Sequence, residues 1–203
     1  LWAHRWVLHS YIVKLKGKRV WDYTFQPSSQ TDVKTMCHEM FHSLGAPDLY
    51  RYGGGGAPVG TWDLMESGFG HMGAWMKYRY SKKTWIENIP EITTSGTYSI
   101  SPLFQSENNA YIIRSAFSPT EFFVLEYRNK NAPYESSLPG TGLLVYRIND
   151  RYEGNAEGPP DEVYLYRPNG NNMGGGNLEL AHYGAHVNRT AINDTTTNPK
   201  SFL

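Results

Sequence analysis

The chain has 203 residues, 19 basic and 19 acidic side chains that cancel to a formal charge of zero, and one cysteine. A balanced charge argues against a nucleic-acid binder, which carries a basic face, and one cysteine makes no internal disulfide. No apolar run approaches the roughly 20 residues of a membrane helix, and this length suits one large domain or two small ones with a core of real size.

No charged-then-apolar leader stands at Leu1, so a targeting signal is expected to have been removed or to lie outside this sequence. Charged residues are sparse at 19%, with abundant Gly, Tyr and Trp, a texture of strands and ordered loops. Residues 1–30 read as two strands and a loop. Val7 to Lys16 alternates imperfectly, Gly17-Lys18 supplies a turn, and Arg19 to Phe25 alternates again. His4 and His9 fall here without a partner at ligand spacing, and read as sheet or surface histidines.

A helix then starts at Thr31 or Asp32, either of which is a suitable N-cap. Val33, Met36, Cys37, Met40, Phe41 and Leu44 follow the i, i+3, i+4 rhythm and form one stripe that is expected to pack inward. On that reading Cys37 is a small buried hydrophobe. His38 and His42 lie on the opposite side about 40° apart, with Glu39 about 60° beyond His42. An ordinary surface helix carries Lys and Glu pairs at such positions. Gly45 ends the helix where a left-handed residue is wanted, and Pro47 prevents it from resuming. The reversal lets Asp48 fold back towards the two histidines.

Gly53 to Gly56 reads as a mobile loop, with no lysine or helix start behind it to make a phosphate site. Residues 60–68 read as a tight turn. His71 to Lys83 has helical character, with Met72, Trp75, Met76 and Tyr80 at apolar spacing, and Pro90 closes it. From Glu91 the texture changes to short strands: Thr97–Ser101, Ala110–Ser115, Glu121–Arg128, Gly142–Ile148 and Glu162–Arg167. These predict an all-β, sandwich-like module over 91–203, behind a first portion spanning 1–90. The fold class is therefore α+β. The tail is Gly/Asn-rich and then Thr-rich, with two sequons at Asn188 and Asn193, and His182 and His186 read as bystanders.

Two imidazoles at i and i+4 beside a returning carboxylate are a donor set for zinc, which keeps a water in its fourth catalytic position. Glu39, directly after the first histidine, points at that water and not at the metal, where it can act as general base. Scattered Asp and Asn residues show no EF-hand spacing, so Ca2+ has no motif here.

The run HEMFHSLGAPD resembles the extended HExxHxxGxx(H/D) signature of metzincin metallopeptidases. Pro47-Asp48-Leu49-Tyr50, then Trp62 to Gly68, then Ala74 to Tyr78 narrow the resemblance to the immune inhibitor A-like peptidases, family M6. Segments near Gly96, Phe123 and Pro139 also look like the β-region that follows the catalytic core in that family. The resemblance implies a metzincin-like core, partial here, with His38, His42 and Asp48 as Zn2+ ligands, Glu39 as general base and Met65 as the Met-turn floor. Asp at the third ligand position departs from the commoner metzincin His but suits this family. His71 and Tyr78 are candidates for transition-state stabilisation, weighed against wall or packing roles.

The implied activity is that of a secreted, extracellular zinc endopeptidase acting on protein or peptide substrates, without nucleic acid or a membrane span. Only 37 residues precede His38, and metzincins build their upper subdomain from a longer sheet, so a preceding part of the same polypeptide is an expected partner. The competing reading is a catalytically silent, peptidase-like fragment that binds protein or glycan through its aromatic strands. A non-peptidase zinc hydrolase is disfavoured by the Met-turn resemblance.

Overall fold

Alternation near the start of the chain becomes an interrupted hairpin, seen in a computed structural model that describes residues 2–193. Its strands are β1 (His4–Val7), β2 (Val13–Leu15), β3 (Lys18–Val20) and β4 (Asp22–Phe25). β1 pairs antiparallel with β4, and β2 with β3. The single strand expected over Val7–Lys16 is thus broken at residues 8–12. The turn sits at Lys16 (φ 48°) and Gly17 (φ 79°), one residue earlier than expected. A two-residue hairpin turn of this kind requires positive φ at both central residues, and Lys18 is already paired. His4 stacks on Phe25 at 5.4 Å within the sheet, and His9, exposed in the break after β1, meets the Trp6 and Trp21 rings edge-on, which accounts for one as a sheet and the other as a surface histidine.

Helix α1 spans Val33–Ser43 and packs on β1 and β4. Asp32 is its N-cap, the carboxylate accepting from the Thr35 N–H at 3.0 Å. The phase of the helix is as expected, but the burial of its apolar stripe is not. Phe41 is buried, whereas Val33, Met36, Met40 and Leu44 are exposed. Cys37 is also exposed, which corrects its reading as a buried hydrophobe. The reason is a shortage of covering surface: among the described residues of Leu1–Ala46, the buried hydrophobics are Ala3, Phe41 and Ala46.

Pro47–Leu203 forms the second unit. It holds a short 3-10 turn at Gly60–Trp62, helix α2 (Ala74–Tyr80), and strands β5 (Ala110–Arg114), β6 (Glu121–Arg128), β7 (Gly142–Asn149) and β8 (Val163–Leu165). The four strands make one antiparallel sheet in the order β5-β6-β7-β8, with Val124 opposite Tyr146 and Tyr146 opposite Leu165. Residues 97–101 form no strand, and Pro102 makes an isolated bridge to Tyr127.

A sandwich needs two facing sheets, and the described residues of this unit form one. The layer against it comes instead from α2, which packs on β6, with Trp75 edge-on to Phe122 at 5.1 Å. Residues 47–90 are tied to the sheet, so the chain divides after Ala46, whereas its texture changes near residue 90. The glycine run is likewise pinned. Arg51 Nη1 donates to the Gly55 carbonyl at 2.5 Å, and a Cβ on Gly56 would meet Gly174 O at 2.6 Å. No helix among the described residues is long and apolar enough to cross a membrane. The second sequon ends at Thr195, outside the described residues.

Candidate metal centre

His38 and His42 project from consecutive turns of α1, their ring centroids 4.7 Å apart and their planes at 90°. Helix geometry at i, i+4 spacing brings them to one face. His42 Nδ1 lies 2.7 Å from the Ala46 carbonyl oxygen. A carbonyl can only accept, so Nδ1 carries the proton and Nε2 keeps its lone pair for a metal. The helix stop creates that acceptor. Gly45 takes φ 104°, its N–H donates to His42 O at 2.9 Å, and the Ala46 N–H donates to Phe41 O at 3.3 Å. Glu39, next to His38, is buried at 7% exposure.

Asp48 is buried, and its Oδ2 accepts from the Tyr52 hydroxyl at 2.6 Å. Burial first, and the hydrogen bond to Asp48 second, hold the Tyr52 phenol well above its ordinary range, so it stays a donor. His38, His42 and Asp48 each offer one ligand atom, and these atoms all lie within 4.8 Å of one another. Donors on a shared zinc stand roughly 3.4 Å apart at ordinary bond lengths. Two imidazoles and a carboxylate are a donor set found at catalytic zinc.

Met65 is fully buried in the turn that follows the 3-10 segment. Asp63 builds this turn: Oδ1 accepts from the Met65 N–H at 2.8 Å, Oδ2 from the Gly73 N–H at 2.6 Å, and its carbonyl from the Gly68 N–H at 2.9 Å. A Cβ on Gly68 would stand 2.7 Å from Asp63 C, so the closure demands glycine. Met65 O in turn accepts from the Leu49 N–H at 2.8 Å, linking this turn to the segment that carries Asp48.

Comparison with known proteins bears on the same stretch. Residues 1–84 match the family described as immune inhibitor A peptidase M6, catalytic domain. This stretch is M6-like. The chain is also similar to the pre-pro-metalloprotease PrtV of Vibrio cholerae serotype O1, in strains M66-2 and ATCC 39315 / El Tor Inaba N16961. Each is 37% identical over 82 residues, covering 34% of this chain and 9% of that relative. The chain thus spans 9% of the length of these curated relatives. No solved structure matches.

The M6-like stretch also contains the two stabiliser candidates. His71 Nε2 is 3.2 Å from Pro133 O and its Nδ1 is 3.0 Å from Lys77 Nζ. The ring therefore donates to a carbonyl and accepts from an ammonium, which leaves no N–H for an oxyanion. Burial, then the Lys77 charge, pull its pKa down and keep it neutral. Burial also pushes Lys77 down to about 8. Tyr78 lies beside Trp75 with ring centroids 5.8 Å apart and planes tilted by 37°, and Lys83 Nζ is 5.3 Å from the Tyr78 ring centroid. His182 and His186 stack on each other at 5.5 Å, with His182 buried against Trp62.

Several supporting residues were not singled out from sequence. Arg128, fully buried, grips Glu135 through two bonds of 2.6 and 2.7 Å and donates to Trp62 O at 2.9 Å. Glu126 accepts from Tyr146 OH, Arg128 and the Ala74 N–H. A signal existed for these two: they occupy the inward phase of β6 together with Phe122 and Val124. Tyr52 had a weaker one, its i+4 spacing from Asp48. Asn155, 106 residues from Leu49 in sequence, had none.

Proposed function

We propose that the protein is a secreted zinc endopeptidase of the M6, metzincin type, hydrolysing peptide bonds of protein substrates. The observation that carries this reading is the gathering of His38, His42 and Asp48 donor atoms within 4.8 Å on an M6-like segment. We take residues 1–90 as the peptidase portion and 91–203 as the β-rich portion; the family match ends at residue 84.

Zinc, when bound, supplies a water acidified towards neutrality and an electrophile for the scissile carbonyl. His42 is held as the Nδ1–H tautomer by Ala46 O, which keeps its Nε2 available as a donor. Glu39 takes the proton of the attacking water and delivers it to the departing amine, the role of a carboxylate one residue after the first imidazole. Met65 is the apolar floor beneath the ligands, and Asp63 fixes its backbone.

The test is metal analysis of the full-length protein, with an anomalous signal at the zinc edge, beside turnover of an unfolded protein substrate. One zinc per chain is expected. Glu39→Ala is expected to keep the zinc and lose activity by roughly 10²–10⁴-fold. Absence of zinc, or unchanged hydrolysis by Glu39→Ala, overturns the reading. Bound zinc without any turnover supports the silent binding module instead.

A further inference from the structure

The third ligand candidate is held by a segment without regular structure, and its backbone contacts come from far along the chain. Asn155, fully buried in the loop between β7 and β8, donates its own backbone N–H to the Asp48 carbonyl at 2.9 Å. Its Nδ2 donates to Leu49 O at 3.0 Å and to Val163 O at 2.8 Å, while its Oδ1 accepts from the Val163 N–H at 3.0 Å. Both protons of the amide and one lone pair are used. One side chain therefore rivets the Asp48–Leu49 backbone to the start of β8.

The neighbouring glycine permits this approach. Gly154 has φ 72°, and a Cβ there would stand 2.6 Å from Asp48 O and from Pro47 Cβ. The Gly154 N–H donates to Glu162 at 2.5 Å, and the Glu162 carboxylate also receives Trp75 Nε1, Arg79 Nη1 and the Tyr80 hydroxyl. The loop is thus anchored to α2 on one side and lies against the Asp48 backbone on the other. Tyr52 holds the Asp48 carboxylate itself.

We propose that Asn155, seated by Gly154, is a positioning residue for Asp48, so that the β-rich portion fixes the third ligand of the metal centre. This rests on the metal-centre reading above. A buried amide binding three backbone groups raises stability wherever it occurs; the claim is that this one also sets metal affinity, because the backbone it grips belongs to a ligand. Partners outside the immediate ligands tune metal affinity by roughly 10–100-fold.

The test is competition of the full-length protein against a chromophoric zinc chelator, with the visible spectrum of the cobalt-substituted form as a second readout. Asn155→Ala and Gly154→Ala are expected to bind zinc roughly 10–100-fold more weakly and to shift the cobalt spectrum. Val124→Ala, a cavity variant in β6, is expected to lower stability and leave both readouts at wild-type values. Asp48→Asn sets the scale for loss of the ligand.

The proposal is overturned if Asn155→Ala and Gly154→Ala retain wild-type affinity and spectrum while Asp48→Asn loses them. It is also overturned if Val124→Ala weakens zinc as much as they do. Should Asn155→Ala not fold, Gly154→Ala, which retains the amide, decides alone. A wild-type protein that takes up no zinc sinks the metal-centre reading itself, a result distinct from either of these.

Discussion

The proton on His42 Nδ1 is fixed by the carbonyl of Ala46, so the residue after the glycine stop determines the tautomer of a ligand candidate four positions earlier. Local sequence thus reaches into the chemistry of a single ring. Glu66 shows the opposite pull, of burial against hydrogen bonding. Its Oε2 accepts from the Val59 and Gly60 N–H groups at 2.7 and 2.5 Å, which favours the charged form. Burial outweighs this and pushes the carboxyl up to about 7. A raised carboxyl pKa means that the folded state holds a proton which the unfolded chain has already released. Its stabilising effect is complete below about 4.5 and disappears as pH rises through about 7. Urea unfolding of the wild type is therefore expected to lose on the order of 1–3 kcal/mol between those pH values from this group. In Glu66→Gln that slope is expected to flatten, and an unchanged slope would assign the pH dependence to other groups.

Helix α1 and strand β6 set out the element scale, since each presents a face that binary patterning describes incompletely. In α1 the Asp32 cap accepts from both the Thr35 N–H and the Thr35 hydroxyl. Asp32→Ala is expected to lower the midpoint of a urea melt, the usual effect of removing an N-cap. In β6 the inward face reads Phe122, Val124, Glu126, Arg128, apolar for half its length and ionic for the rest. The ionic half is satisfied by Glu135, Tyr146, Trp62 O and the Ala74 N–H. Removing one partner of a fully buried pair leaves an uncompensated charge. Arg128→Ala is therefore expected to lose about 3–5 kcal/mol, and Arg114→Ala, whose pair with Glu91 is exposed, less than about 1 kcal/mol. Parallel urea melts of the two variants check this.

Within the second unit, the Met65 turn and α2 depend on partners contributed after residue 90. Arg128 caps Trp62 O, Glu126 receives the Ala74 N–H, Glu162 gathers Trp75, Arg79 and Tyr80, and Trp62 Nε1 donates to Leu178 O at 2.6 Å. A fragment of residues 1–90 loses every one of these groups while keeping their counterparts. Such a fragment is expected to show no cooperative urea transition, monitored by tryptophan fluorescence, although the family match ends within it at residue 84. A cooperative transition in that fragment would establish 1–90 as an independent folding unit.

The helix, its cap to within one residue, its glycine stop, β6 to the residue and most of β7 are legible in the chain alone, because each is specified by neighbours a few positions apart. The same holds for the ligand candidates, since His38, His42 and Asp48 fall within one helix and one turn. What periodicity cannot supply is the identity of the surface that covers a face. The α1 stripe is apolar whether or not anything lies on it, so Val33, Met36, Cys37 and Met40 were expected inside and stand exposed. Strand texture likewise does not say whether a sheet faces another sheet or a helix, and here α2 takes that place. The Asn155–Leu49 contact joins residues 106 positions apart, and no short-range pattern encodes it. Local propensity and spacing wrote the donor set into the sequence; long-range hydrogen bonding and burial, which exist only once the chain has folded, decided what holds it still.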